Sequence, residues 1–289
     1  MNIQPSRISI QKSLAEVMDA GEARAVSMML FDKLFGMTVA DVLSGKDQEL
    51  GDDEKKVLLE CVERIVKGEP VQYVLGRCDF NGLELTVAPG VLIPRPETEE
   101  LVNCCVAHYL TESKVKVLDI GTGSGCIALS VKHKLPNADV TGWDISEDAL
   151  AIAAQNAERL ALKVTFERHD IIDINNELKD ITPTFDIIIS NPPYVCENEK
   201  KDMESRVLDY EPKTALFVPD NDPLCFYRHI TEFALKALKT RGRLFFETNR
   251  AYSDDVAKLL SENGFINVHK LTDSFGNDRI VHGSLNSQQ

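Results

Sequence analysis

The chain has 289 residues, 43% apolar and 27% charged, and its 32 Lys and Arg against 46 Asp and Glu leave a net charge of −14. This composition excludes a disordered or collagen-like chain, and no apolar run approaches the ~18–20 residues that span a bilayer. The acid excess weighs against a nucleic-acid substrate, whose phosphates are normally met by basic side chains, and fits a basic protein partner better. At roughly 100–200 residues per domain, the length predicts two domains or one large one. The opening MNIQPSRISIQKSLAE lacks a basic end followed by an apolar core, so no secretory leader is expected. The seven cysteines are scattered apart from Cys104–Cys105, with no Cys-x-x-Cys. Neither a disulfide framework nor a zinc site is supported, so no metal is expected, and the setting is read as soluble, reducing and cytoplasmic.

Residues 1–75 predict a small helical domain. Ile10, Leu14, Val17 and Met18 recur at helical spacing from Ser9, the expected N-cap, to Asp19. A second helix runs from Gly21 to Gly36, with Met28, Met29 and Phe31 read as core. Asp52 and Asp53 open a third, with Val57, Leu58, Cys61, Val62, Ile65 and Val66 on one face. Gly68 stands where a C-terminal cap belongs, and Pro70 suits a further short turn. No catalytic constellation appears in this part of the chain.

The pattern then changes. Cys78–Phe80 and Leu83–Val87 flank Asn81–Gly82, a hairpin signal because both turn positions tolerate positive φ. Residues 76–92 are read as a β-hairpin linker. Pro96 suits the first position of a helix reaching about Leu110, and Glu97, Glu99 and Glu100 favour its positive end. Residues 93–289 form the second domain. From residue 115, short apolar strands (115–120, 139–144, 164–169, 185–190, 243–248 and a final pair) alternate with helices (127–133, 147–160, 225–238, 253–263). That is an α/β fold with an open sheet and crossover helices.

Gly121, Gly123 and Gly125, in Val117-Leu-Asp-Ile-Gly-Thr-Gly-Ser-Gly125, let the backbone turn tightly from strand to helix and approach a ligand. Asp144 ends the next strand, where a carboxylate can accept from ribose hydroxyls. Both features occur in nicotinamide enzymes and in S-adenosylmethionine (SAM) methyltransferases. Asp119, just before the glycines, leans towards SAM, whose amino-acid end is cationic. Asp170 has two readings, an acceptor for an adenine amino group with Ile171 against the ring, or a cap of its own turn.

Phe185-Asp-Ile-Ile-Ile-Ser-Asn-Pro-Pro-Tyr194 is the most specific feature. Pro192 and Pro193 have fixed φ and no N–H, which restrains Asn191 at a strand end. The Asn191 side-chain oxygen and the Pro192 carbonyl together suit a planar –NH2 group, and Tyr194 offers a ring face. Amide and aromatic-amine nitrogens are weak nucleophiles because their lone pair is delocalised. Two acceptors on their N–H bonds aim that lone pair at a methyl carbon, so positioning and electrostatics do the work without a strong base.

At these residues the sequence resembles the release-factor glutamine methyltransferases, the PrmC/HemK family. The resemblance extends to Gly68-Glu-Pro-Val-Gln-Tyr-Val-Leu-Gly76, the hairpin, Leu92-Ile-Pro-Arg-Pro-Glu-Thr-Glu99, and the closing Asp273-Ser-Phe-Gly-Asn-Asp-Arg279. It implies a class I SAM-dependent methyltransferase, Rossmann-like, with an open mostly parallel sheet and a final antiparallel strand. It implies methylation of the side-chain amide nitrogen of the glutamine in the Gly-Gly-Gln loop of a class 1 peptide chain release factor, which the helical domain helps to recognise. SAM would lie on Asp119, Gly121, Thr122, Gly123, Ser124, Gly125, Asp144, Ile145, Asp170, Ile171 and Asn191, leaving S-adenosylhomocysteine. The substrate amide would meet Asn191, Pro192, Pro193 and Tyr194, with in-line methyl transfer and no covalent enzyme intermediate. Glu247 matches the family's late strand, whereas Thr248 and Asn249 depart from it.

Arg95 either contacts substrate or the SAM carboxylate, or pairs with Glu97 or Glu99 on the surface. The competing functions are an amino-methyltransferase of nucleic-acid bases, which needs an extruded base, a SAM-binding scaffold, and a dehydrogenase. The acidic balance and the absence of a basic–aromatic cluster in residues 1–75 count against the first. A monomer is expected, and the cysteines are read as packing.

Overall fold

The buried faces of the first five helices are short and interleaved, and the caps between them decide where each begins. In the computed structural model, which describes residues 6–174 and 180–286, α1 spans Arg7–Leu14. Its N-cap is Ser6, not Ser9: the Ser6 hydroxyl accepts from Ser9 N–H while Ser9 Oγ accepts from Ser6 N–H. Ser9 therefore completes a capping box from inside the helix. The helix stops well before Asp19 because that carboxylate caps α2 (Ala20–Phe35), accepting from Gly21 and Glu22 N–H. A five-residue α3 (Val39–Leu43) follows a Thr38–Asp41 capping box. The closing bonds of α4 (Asp52–Val66), Glu69 N–H to Arg64 O and Gly68 N–H to Ile65 O, require the positive φ of Gly68. This is the Schellman pattern. Helix α5 (Val71–Leu75) follows Pro70. Ile10, Leu14, Leu30, Phe31, Leu58 and Ile65 form the core, against which Met28 packs. Met29 and Val57, read as core-facing, are instead exposed.

This unit, which runs to Arg77, also takes in Glu204–Tyr210 from far along the chain. Arg206 pairs with Glu22 at 2.6 Å, and the Tyr210 hydroxyl donates to the Lys67 carbonyl.

The second unit comprises Cys78–Met203 and the chain from Glu211 onward. Strands β1 (Arg77–Phe80) and β2 (Leu83–Thr86) form the predicted hairpin, with Asn81 and Gly82 both at positive φ. Helix α6 (Pro96–Val106) ends four residues short of the expected Leu110. Then come β3 (Lys116–Ile120), α7 (Cys126–Lys134), β4 (Asp139–Asp144), α8 (Glu147–Arg159), β5 (Thr165–Arg168) and β6 (Phe185–Ser190). Two short strands, β7 (Val195–Cys196) and β8 (Phe217–Val218), pair with each other. The helix Cys225–Ala237 leads into β9 (Leu238–Glu247), and the helix Ser253–Glu262 into β10 (Phe265–Thr272) and β11 (Asp278–Leu285).

The seven-stranded sheet has the order β10-β11-β9-β6-β3-β4-β5. Strand β11 runs antiparallel to both neighbours, and β9, β6, β3, β4 and β5 are parallel. This is the predicted open, mostly parallel sheet with a final antiparallel strand. The central strands are apolar on both faces, as a doubly covered sheet requires. Val117, Ile187, Ile189 and Phe245 enter one core, whereas Leu118, Ile188, Leu244 and Phe246 enter the other. The period-two alternation of strand side chains produces that division.

One buried side chain ties the hairpin to the first turn of the sheet. Asn156 on α8 accepts from Thr86 N–H and donates to the carbonyls of Thr86 and Ser124. Asn156→Ala would leave the buried Ser124 carbonyl and the half-buried Thr86 N–H and carbonyl without this partner, an unsatisfied buried group costing about 1–3 kcal/mol. The expected loss of at least about 2 kcal/mol is read from the midpoint of a urea melt. A change below about 0.5 kcal/mol would contradict this role.

Candidate active site

Four loops leave the carboxyl ends of β3, β4, β5 and β6, where open α/β sheets bind ligands. After β3, Gly121, Gly123 and Gly125 all take positive φ. The N–H groups of Gly121 and Thr122 donate to the Trp143 carbonyl, which fastens the loop to the neighbouring strand. A Cβ on Gly125 would stand 3.1–3.3 Å from Leu129, Ala153 and Phe166, so only glycine lets the loop settle onto them. Asp119 lies fully buried beneath the loop. Its Oδ2 accepts from Thr122 Oγ1 at 2.6 Å and from Ala128 N–H at 3.2 Å, while its Oδ1 has no partner. Burial pushes its pKa up to about 7. Ser124 Oγ is likewise buried without a partner.

Asp144 closes β4. Its Oδ2 accepts from Gly123 N–H at 2.8 Å and its Oδ1 from Ser146 N–H at 2.9 Å. The carboxylate is thus aimed by the glycine loop itself, and each oxygen keeps a lone pair. Burial raises its pKa and these N–H bonds oppose the rise. Beside it, Ile145 is 51% exposed, an apolar surface at the rim. Asp170 Oδ1 accepts from Ile172 N–H, a turn-capping bond, and Ile171 packs into the core with Trp143 and Ile174.

After β6, Asn191 Nδ2 donates to Thr98 Oγ1 at 3.1 Å. Thr98 Oγ1 in turn donates to Glu247 Oε2 at 2.7 Å, and the Tyr194 hydroxyl donates to Glu247 Oε1 at 3.1 Å. Glu247 ends β9 and is 1% exposed. Burial raises its pKa, against the lowering effect of the two donors and of the Arg279 charge. Burial and the Glu247 charge hold the Tyr194 phenol far above its ordinary value, so it stays protonated.

These bonds fix a polarity. A hydroxyl has one hydrogen to donate, and Thr98 spends it on Glu247 while accepting from Asn191 Nδ2. Asn191 therefore turns its –NH2 to Thr98 and its oxygen away. Asn191, Pro192, Tyr194, Arg95, Leu92 and Leu216 line one pocket. Arg95 pairs with neither Glu97 nor Glu99: it bonds Glu211 Oε1 at 2.6 Å, and Glu211 Oε2 accepts from Ile93 N–H. Its partner lies far away in sequence, which local reading could not find.

Thr98 and Glu211 join the site without any local sequence signal. Thr98 sits inside the Pro-Glu-Thr-Glu run, and only the fold puts it against Glu247. Asn249, a departure from the family pattern, donates to the Tyr194 carbonyl and to Glu199. The closing Asp273-to-Arg279 run is a turn leading into β11, and its Asp273 accepts from Phe275 and Asn277 N–H and from Arg279 Nε.

Residues 111–279 match the family model described as a methyltransferase domain, and residues 10–76 match the PrmC N-terminal domain. The release factor glutamine methyltransferase of Bacteroides thetaiotaomicron is 46% identical over 94% of this chain and 96% of its own. That of Flavobacterium psychrophilum is 40% identical over 97% and 98%. A solved methyltransferase from Pyrococcus furiosus is 18% identical and covers 78% of this chain and 97% of its own, with a TM-score of 0.51. It shares the fold. The full-length matches, with both family models in place, mean that this chain belongs to the release factor glutamine methyltransferase family.

Proposed function

We propose that this protein transfers the methyl group of SAM to the side-chain amide nitrogen of the glutamine in the Gly-Gly-Gln loop of a class 1 release factor. The observation that carries the reading is the fixed polarity of Asn191. With its –NH2 committed to Thr98, its oxygen is an acceptor for a substrate N–H, and the Pro192 carbonyl supplies a second. Two acceptors on a primary amide hold its plane and favour the pyramidal nitrogen of the transition state. Bound SAM supplies an electrophilic methyl whose sulfonium charge disappears on transfer. A nitrogen that has gained a methyl and kept both protons is strongly acidic, so proton loss needs no strong base. Glu247 already holds Thr98 and Tyr194 and serves as frame.

The residues fit SAM. Asp144, oriented by Gly123 and Ser146, suits ribose hydroxyls, with exposed Ile145 against the adenine. Asp170, whose Oδ1 holds its own turn, is assigned the far side, backed by Ile171 in the core. The unpartnered Asp119 Oδ1 suits the cationic amino group, beside Gly121, Thr122 and Ser124. The helical unit is assigned recognition of the release factor.

The direct test offers labelled SAM with the unmodified release factor, its Gln→Ala loop variant, and denatured DNA and RNA. Label is expected on one glutamine of the wild-type factor alone, and label on nucleic acid instead would reject the reading. Asn191→Ala is expected to cut turnover about 100-fold or more while leaving SAM affinity within about threefold, whereas Asp144→Ala weakens SAM itself. Calorimetry showing equal losses would contradict these roles. Thr98→Val keeps the shape but frees the Asn191 amide to flip; losing one orienting bond predicts a turnover drop of about 10- to 100-fold. Unchanged turnover would remove the polarity argument.

SAM affinity is expected to depend on pH through Asp119. Its free pKa of about 7 falls when a cation arrives, so binding releases a proton. Affinity therefore strengthens from pH 6 to 8 and levels off once the free carboxylate is already ionised. The Asp119→Asn variant should bind more weakly with a flat profile, and a persisting slope would assign the proton elsewhere.

A further inference from the structure

Three of the chain's six histidines converge on one patch of the α/β unit, outside the pocket just described. Cys104 lies in the last turn of α6 and His108 just beyond its end, where the His108 N–H donates to the Cys105 carbonyl in a closing turn. His282 on β11 faces them, and His269 on β10 is its direct cross-strand partner. One donor atom each from Cys104, His108 and His282 lies within 4.8 Å of the other two. The His282 ring centroid is 5.4 Å from that of His108 and 5.4 Å from that of His269. His282 is 4% exposed, and its Nδ1 is buried with no hydrogen-bond partner. A buried polar nitrogen without a partner is costly unless something else occupies its lone pair.

We propose that Cys104, His108 and His282 bind a zinc-class divalent cation, with His269 placed to become the fourth ligand. Two or three imidazoles and one thiolate are the borderline-soft donor set that such ions take in tetrahedral sites. Zinc bonds of about 2.0–2.3 Å put tetrahedral donors about 3.3–3.8 Å apart. Closing the observed cluster needs about 1 Å of side-chain movement, which the exposed His108 can supply. Burial and the neighbouring His108, His269 and Arg243 hold the His282 imidazole neutral, with a pKa of about 4. The Arg243 charge repels an incoming cation but also lowers the Cys104 thiol against the raising effect of burial. Binding releases the thiol proton to solvent and leaves a thiolate on the metal. The ion would clip the end of α6 to the last two strands, about 9 Å along that helix from Thr98.

The experiment titrates the full-length protein with Co2+ and with Zn2+ at pH 7.5. One equivalent of Co2+ is expected to give a near-ultraviolet thiolate charge-transfer band and the visible bands of four-coordinate cobalt. Excess Zn2+ should remove both and should raise Tm by mass action. Cys104→Ser should abolish the charge-transfer band. His282→Ala should weaken binding about 100-fold or more. Because His282 is buried and its variant can misfold, His108→Ala provides the exposed-ligand control, and His133→Ala outside the cluster should change nothing. Absence of saturable binding, or binding unaffected by Cys104→Ser and His108→Ala, would overturn the proposal.

Discussion

A buried carboxyl that takes a hydroxyl proton on each of its oxygens sets the direction of the bonds around it, and Glu247 imposes that constraint on everything behind the pocket. It collects the hydroxyl protons of Thr98 and Tyr194. Each hydroxyl has one proton, so each then presents a lone pair elsewhere. At Thr98 that lone pair faces Asn191, and the asparagine amide has only one orientation that does not set acceptor against acceptor. The direction of the amide is thereby set by a carboxyl two residues away in space, through Thr98, not by contact with a substrate. Such preorganisation matters because an acceptor that must rotate into place during the reaction contributes less to the transition state than one already aimed.

The sheet makes the arrangement possible. Strands β6 and β9 are parallel neighbours with Ser190 opposite Phe246, so Asn191 and Glu247 emerge at the same end of adjacent strands. Helix α6 brings Thr98 between them from its first turn. Prolines at 192 and 193 forbid the chain from continuing the ladder after Asn191. The two ends of α6 then have separate duties. Its first turn carries Arg95 and Thr98, and its last carries Cys104, with His108 just beyond.

The legible parts of this protein are those whose meaning lies within about ten residues. The Asn81–Gly82 turn, the glycine loop and the Asn-Pro-Pro-Tyr run each state a backbone requirement locally, and the strand alternation divides into two cores as written. What escaped reading depends on partners far apart. Thr98 and Glu247 are 149 residues apart, and Arg95 and Glu211 are 116 apart. Helix α3 is too short to show a period, and Ser6 and Ser9 both have cap chemistry, so only the geometry of the box distinguishes them. Cys104, His108, His269 and His282 escaped for the same reason, since metal spacing rules presume neighbouring ligands and these come from one helix and two strands.

Two of the buried carboxylates of the site, Glu247 and Asp119, obey different accounts. Glu247 has a donor on each oxygen and a nearby positive charge, so its ionised form is provided for within the protein. Asp119 has both of its donors on Oδ2 and none on Oδ1, and burial lifts its pKa to about 7. A native fold seldom leaves a buried charge half satisfied. The imbalance is what a ligand-binding acid requires: an oxygen kept without a protein partner is available to a cationic ligand, at the cost of a weaker hold on its own proton. The satisfied acid is frame and the unsatisfied one is receptor, although both stand at strand ends of the same sheet and read alike in the sequence.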